Sequence, residues 1–226
     1  MLIIIPAYNE ERDIGRVVRQ CREYGQVVVI DDGSWDLTAA EATTAGAYVI
    51  SHGDNKGYGQ ALQTGYEYAL KNGNDILVQL DADGQHDPRY IPALVNELNA
   101  ADMVLGSRFI ETPGYKIPFF RLLGMRLFSY LASRLCSYRF TDTTSGFRAM
   151  NRRAIEFCTG GHYPRDYPDA NSLVIMHRAD LRIREIPVKM CASTKGTSMH
   201  SGVEPIFYVC RMIFNLGKGK GKWQIT

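Results

Sequence analysis

Cysteine pairs at metal-binding or redox spacing are missing from this chain. Its five cysteines, Cys21, Cys136, Cys158, Cys191 and Cys210, form an odd set without a CxxC. That pattern reads as reduced, mostly buried thiols of a cytosolic protein, and it argues against a zinc site. Long hydrophobic runs are missing too. No segment reaches the ~18 uninterrupted apolar residues of a membrane-spanning helix. The opening Met1-Leu2-Ile3-Ile4-Ile5-Pro6 is too short and unflanked for a signal peptide, so the expectation is a soluble or peripheral protein. No Lys/Arg run dominates a face. The net charge is +2 with 22% charged residues, and nothing demands nucleic acid as a partner. Repeats, low-complexity linkers and an obvious domain boundary are also lacking. The 226 residues, 45% of them hydrophobic, suffice for one α/β domain with a real core.

What is present is a rhythm. Leu2–Pro6 is a short apolar run, and Glu10–Tyr24 carries Ile14, Val17, Val18 and Cys21 at helical spacing. Val27–Ile30, Trp35–Ala45, Tyr48–Ser51, Tyr58–Leu70 and Ile76–Leu80 continue the strand–helix alternation. Such alternation predicts a parallel sheet with helices on both faces, and ligands bind beyond the carboxyl ends of its strands. The second half is less regular. Ile117–Tyr138 reads as a long apolar helix interrupted by Arg121, Arg126 and Arg134, Asp169–Ala179 as a helix, Leu181–Val188 as a strand, and the stretch from Val203 as a helix with a Lys/Gly tail.

Polar residues follow the strands: Pro6-Ala7-Tyr8-Asn9-Glu10, Asp31-Asp32-Gly33-Ser34, Asn55-Lys56-Gly57-Tyr58-Gly59, Asp81-Ala82-Asp83-Gly84-Gln85 and Ser107-Arg108-Phe109. The sharpest is Asp81-Ala82-Asp83. Two carboxylates one residue apart on a turn leaving a buried strand can grip a divalent cation, and hard oxygens suit Mg²⁺ or Mn²⁺. Gln85 can add a neutral oxygen. Alone, such a pair is as often an ordinary acidic turn. Asp31 and Asp32 can accept hydrogen bonds from a base or ribose, or serve a turn and helix cap. Lys56 can meet a phosphate where Gly57 lets the backbone approach. Ile206–Leu216 is apolar except for a stripe of Tyr208, Arg211, Asn215 and Lys218, a pattern that suits the membrane interface. Ile117–Tyr138 can lie there as well, or both helices can pack on the sheet or in a dimer interface.

Seven motifs, PAYNE, DDGS, NKGYGQAL, DADGQHDP, GSRF, TSGFRAMNR and EIPVKM, occur in this order, and the likeness they carry extends from Leu2 to about Leu216. Together they resemble the family 2 glycosyltransferases, specifically the branch of dolichyl-phosphate mannose synthase and bacterial polyprenyl-phosphate sugar transferases. The resemblance implies a GT-A fold: an α/β, Rossmann-like, mostly parallel central sheet with helices on both faces, here with an amphipathic C-terminal helix. One domain would span 1–226, with a nucleotide-sugar half at 1–110, an acceptor half at 111–202 and a basic tail at 203–226. Pro6, Ala7, Tyr8 and Glu10 would line the nucleoside pocket. Asp31 or Asp32 would read base or ribose. Asp81, Asp83 and Gln85, with Ala82 between them, would hold metal and diphosphate. Arg108 and Arg121 match arginines that contact phosphate. The family pattern also has an arginine ahead of a Gly-x-Ser element. Here Gly196-Thr197-Ser198 is preceded by Ser193 at that place, and Lys195 can supply charge but no bidentate contact.

The implied reaction is metal-dependent, inverting transfer of a sugar from a UDP-, GDP- or dTDP-sugar to a polyprenyl phosphate at the cytoplasmic membrane face. A small membrane partner protein or self-association can accompany it. A lipid phosphate is already an anion and needs no base. A saccharide hydroxyl, the alternative acceptor, needs one, with Asp142 or Asp169 as candidates. A chain that binds nucleotide sugar without turnover is the non-enzymatic alternative. A nucleotidyltransferase lacks support in the Pro6–Glu10 loop, and a dehydrogenase would need a GxGxxG after the first strand.

Overall fold

The computed structural model describes residues 1–111, 117, 119–136, 138–160 and 170–191, with backbone alone for 120 and 121. β1 (Leu2–Ala7), α1 (Ile14–Cys21), β2 (Gln26–Asp31), α2 (Thr38–Thr44), β3 (Tyr48–Ser51), α3 (Tyr58–Lys71) and β4 (Ile76–Gln79) alternate as the apolar periodicity predicts. Then come α4 (Ile91–Glu97), β5 (Met103–Ser107), α5 (Phe119–Cys136), β6 (Arg148–Asn151), α6 (Arg152–Thr159), α7 (Ala170–Arg178) and β7 (Ile183–Pro187). The seven strands form one sheet in the order β3-β2-β1-β4-β6-β5-β7.

Period-2 alternation builds a core on each face. Leu2, Ile4, Val28 and Ile30 point to one side, where Leu62 and Tyr66 of α3 and Ile155 of α6 cover them. Ile3, Ile5, Val27 and Val29 point to the other, against Ile14, Val17 and Val18 of α1 and Ile91 and Leu94 of α4. Each such side chain contributes roughly 1.5–3 kcal/mol on full burial. Burial on both faces is why β1 and β2 read as continuous apolar runs. Cys21, Cys136 and Cys158 are buried, and burial pushes the Cys21 thiol up to about 12.

The sheet departs from full parallelism at one strand. β6 runs antiparallel to both β4 and β5, and Gln79 pairs with Arg148 and Leu105 with the same residue. The reversal puts the loop entering β6 at the edge where β1, β2, β4 and β5 end. The expected helix from Val203 on lies outside the described residues. Among those residues no helix is long and apolar enough to cross a membrane.

Asp102, just before β5, ties three elements together. It accepts from Asn151 Nδ2 (3.0 Å), the Arg182 N–H (2.8 Å) and Arg153 (3.2 Å). Burial opposes its charge, but these bonds outweigh it and hold the carboxyl below the usual range. Asp102→Ala is expected to cost about 1–2 kcal/mol near neutral pH, because the half-buried Asn151 amide and the Arg182 N–H lose a charged acceptor. A depressed folded pKa gives stability that is present above the unfolded value of about 3.9 and lost as pH falls through the folded one. Urea unfolding should therefore show the gap between variant and parent closing in acid. A gap unchanged by acidification would count against the carboxylate as its source.

Candidate active site

The first two loops are sewn to each other. The Asn9 N–H donates to Ser34 Oγ (2.9 Å), the Trp35 N–H to Asn9 Oδ1 (3.1 Å) and the Glu10 N–H to Thr38 Oγ1 (2.7 Å). Pro6 and Ala7 end β1 buried, and Tyr8 stands 43% exposed at the rim.

Asp31 accepts the Ser34 N–H at 3.1 Å. Asp32, 3% exposed, is occupied by its own chain: Oδ1 meets His52 Nδ1 (2.7 Å) and the Lys56 N–H (3.0 Å), and Oδ2 takes the Gly57 N–H (2.8 Å). His52 Nε2 in turn meets Thr64 Oγ1 of α3 at 3.0 Å. Gly33 permits this approach. Its φ is +73°, and a Cβ there would sit 2.5 Å from the Asp54 carbonyl carbon. Asp32 thus shapes the Lys56–Gly57 turn, whose exposed Lys56 looks outward.

The carboxylate pair leaves β4. Tyr58, at the start of α3, donates from its hydroxyl to Asp81 Oδ1 (2.9 Å) and accepts from Gln79 Nε2 (3.2 Å), while Gln79 Oε1 accepts the Tyr66 hydroxyl (2.6 Å). A buried polar relay therefore orients Asp81. Beneath it His86 is buried and stacked on Phe147 at 5.2 Å. Its Nδ1 accepts the Asp81 N–H at 3.1 Å, which puts the ring proton on Nε2. Burial holds the imidazole down to about 4, so it is neutral. Asp83 accepts the Gln85 N–H (3.0 Å), and the Gln85 carbonyl accepts the Cys191 N–H (2.9 Å). Burial first, and then the negative charge of Asp81, hold the Asp83 carboxyl above its usual range.

Two half-buried carboxylates side by side, the charge of Asp81 adding to the proton affinity of Asp83, are a donor set that a divalent cation satisfies. Among the described residues no group of three or more His, Cys, Asp or Glu converges. The protein offers an open pair, which suits a hard cation shared with substrate phosphates better than a closed cage.

Gly146, in the loop before β6, is where the reversed strand meets this pair. A Cβ at Gly146 would lie 2.7 and 2.8 Å from the Asp81 carboxylate oxygens. Gly146→Ala should push Asp81 aside. We expect a folded protein with kcat/KM down by about tenfold to a hundredfold, since a displacement near 1 Å can cost that much. Unchanged turnover in a folded variant would sink this contact.

Arg108, after β5, is 5% exposed and donates from Nε (2.6 Å) and N–H (3.1 Å) to Asp142 Oδ2. Asp142 is fully buried and also accepts the Thr144 hydroxyl at 3.1 Å. Glu185 of β7 accepts the Thr141 (2.7 Å) and Asp142 (2.8 Å) N–H groups, and burial pushes its carboxyl up. So the structure joins Arg108 and Asp142, read separately as phosphate contact and candidate base, into one ion pair. Arg121 lies on α5. Asp169, Ser193 and Lys195 lie outside the described residues. Tyr58, His86, Gly146, His52 and Glu185 were not singled out by sequence. Tyr58, His86, Gly146 and Glu185 stood inside motifs already noticed, and His52 did not.

A seven-stranded, mostly parallel sheet with an acidic pair at its carboxyl edge defines a glycosyltransferase of the GT-A fold. The sequence pattern described as Glycosyl transferase family 2 matches residues 2–158, and the chain belongs to that family. It is 31% identical over 243 residues to the UDP-N-acetylglucosamine–dolichyl-phosphate N-acetylglucosaminyltransferase of Methanococcus voltae, covering 96% of each chain. It is 31% identical over 220 residues to the undecaprenyl-phosphate mannosyltransferase of Micrococcus luteus, covering 89% of this chain and 88% of that one. A crystal structure of glucosyl-3-phosphoglycerate synthase from Mycobacterium tuberculosis in complex with uridine diphosphate superposes with a TM-score of 0.74 at 21% identity, over 100% of this chain and 87% of that one, and shares the fold.

Proposed function

We propose that this glycosyltransferase moves a sugar from a nucleoside-diphosphate sugar to a polyprenyl phosphate, working peripherally at a membrane surface. The observation that carries the donor half is the Asp81–Asp83 pair at the end of β4, oriented by Tyr58 and facing the loop entering β6. The acceptor half rests on the relatives named for dolichyl-phosphate and undecaprenyl-phosphate transfer.

Asp81 and Asp83 would hold Mg²⁺ or Mn²⁺, with Gln85 beside them. A structure of the mycobacterial synthase contains Mn²⁺ together with uridine diphosphate. When bound, such an ion would supply positive charge to stabilise the departing diphosphate. Pro6, Ala7, Tyr8, Glu10 and Asp31 would form the nucleoside pocket, and the Lys56–Gly57 turn held by Asp32 would lie along it. The acceptor phosphate oxygen attacks the anomeric carbon as the bond from that carbon to the diphosphate oxygen breaks, inverting the centre. The attacking oxygen is already anionic, so no base is used, and the commitment of Asp142 to Arg108 fits that reading. Lys195 and Arg121 would add positive charge. A saccharide hydroxyl as acceptor would need Asp169 as base.

The test is thermal unfolding with UDP, GDP, dTDP, CDP and ADP, each with and without Mn²⁺, followed by transfer from the matching sugar nucleotide to polyprenyl phosphate. A nucleotide at about a hundred times its Kd should stabilise the fold by roughly 2.7 kcal/mol. A shift for one base that needs metal, together with polyprenyl-linked sugar as product, is the expected result. No shift for any nucleotide would leave a chain without a working donor site.

A further inference from the structure

A polar side chain stands where the sheet calls for an apolar one. Gln79 ends β4, an interior strand, and is 1% exposed. Its register partners are Ile4 of β1 and Arg148 of β6. Strand alternation turns it to the same face as Leu77, which packs with Leu62 and Tyr66 of α3. A leucine would fill that place without polar cost. An amide there destabilises the fold unless both of its ends are bonded.

Both ends are bonded, and to different kinds of partner. Oε1 accepts the hydroxyl of the buried Tyr66 at 2.6 Å, a length that fits O–H···O. Nε2 donates to the Tyr58 hydroxyl at 3.2 Å, which fits N–H···O. The two tyrosines sit about two turns apart on α3, and the amide links them. This arrangement has a direction. An amide N–H only donates, so the Tyr58 oxygen accepts there, and its single proton goes to Asp81 Oδ1 at 2.9 Å. Bonds in such a row polarise one another in the same sense. Asp83 is held differently, by the Gln85 N–H of its own turn at 3.0 Å. One carboxylate of the pair is thus fixed by its loop and the other from the core.

We infer that Gln79 is a positioning residue of the donor site, acting through Tyr58 to hold the Asp81 carboxylate in one rotation for a divalent cation. The inference rests on the reading that Asp81 and Asp83 hold that cation. It gives the buried amide a role that packing alone does not require, and it places part of the cation site two residues before the acidic turn, inside the sheet.

The experiment measures Mn²⁺ binding itself, with no sugar transfer taking place. Mn²⁺ is titrated into the full chain by electron paramagnetic resonance, at saturating concentration of the nucleoside diphosphate that most stabilises the parent. The variants are Gln79→Met, Tyr58→Phe and the two combined. Hydrogen-bond partners of metal-binding carboxylates typically matter by about tenfold to a hundredfold. Each single variant should therefore raise the Mn²⁺ Kd by about tenfold or more. The combined variant should be no more than about threefold worse than either, because both changes break the same row. The acceptor KM, read separately from transfer assays, should not move. Should Gln79→Met fold poorly because it strands the Tyr66 hydroxyl, Gln79→Met with Tyr66→Phe replaces both partners of that bond, a change that is nearly neutral for folding. It should show the same rise in Kd.

An unchanged Mn²⁺ Kd in a folded Gln79→Met variant overturns the inference and leaves the cation site standing. Losses that multiply in the combined variant overturn it too, since the two residues would then act independently. An acceptor KM that rises as far as the Mn²⁺ Kd marks a general disturbance of the site and sinks the positioning role. A parent that binds nucleotide but no Mn²⁺ with it removes the cation reading itself, and the role of Gln79 falls with it.

Discussion

An Asp83→Asn chain should lose at least about three orders of magnitude in sugar transfer, the scale expected when a group stabilising a departing diphosphate is removed, and its ligand-free form should be no less stable than the parent. The two halves have one cause. Asp83 is held above the usual carboxylate range chiefly by burial and next by the charge of Asp81. Its ionised form is thus a burden on the fold when no cation is present. Asparagine keeps the shape and can still accept the Gln85 N–H at Oδ1, but it removes the like-charge repulsion. The same change halves the charge facing a divalent ion. Initial-rate assays and thermal unfolding, each with and without Mn²⁺, test this directly. The parent should gain stability from metal plus nucleotide and the variant should gain little. Transfer retained within about tenfold would show that Asp83 carries none of the charge stabilisation assigned to it.

Much of this site could be read from the sequence because its signals are local. The apolar period changes within a few residues at each strand–helix junction, and Asp81 and Asp83 are neighbours on one turn. Other parts depend on chain reversal and long-range pairing, which no local pattern reports. Arg148-Ala149-Met150-Asn151 reads as extended whether it runs up or down. Only its pairing with Leu77 and Val104 fixes the antiparallel sense that carries Gly146 to Asp81. Glu185 reaches the Asp142 N–H across 43 residues, and Tyr58 reaches Asp81 across 23. Asp32 shows the opposite difficulty. Its motif suggests a ligand contact, but three groups of its own chain reach it first. A donor-rich turn and a ligand compete for the same carboxylate lone pairs, and the composition of the motif is the same in both cases.

The second large effect concerns the buried ion pair. Asp142→Ala should lower unfolding stability by about 3–5 kcal/mol, because Arg108 would be left charged in a site from which water is excluded. Arg108 is 5% exposed and Asp142 fully buried, so solvent screens neither. Glu185 is anchored to the main-chain N–H groups of Thr141 and Asp142, which alanine retains, and the Thr144 hydroxyl loses its acceptor. Replacing both partners, Arg108→Met with Asp142→Leu, should recover most of the loss, since a buried pair is roughly exchangeable with apolar groups of similar volume. A urea-unfolding double-mutant cycle gives the coupling. The same variants bear on chemistry. If Asp142 only positions Arg108, the acceptor's ionisation sets the pH profile of transfer, and Asp142→Asn lowers the rate without altering that profile. If Asp142 takes a proton from a hydroxyl acceptor, Asp142→Asn abolishes the acid-side limb, on which activity rises as the base ionises, and the lipid-phosphate mechanism falls with it. A stability loss below about 1 kcal/mol in Asp142→Ala would instead match the worth of an exposed pair and would mean that water reaches Arg108.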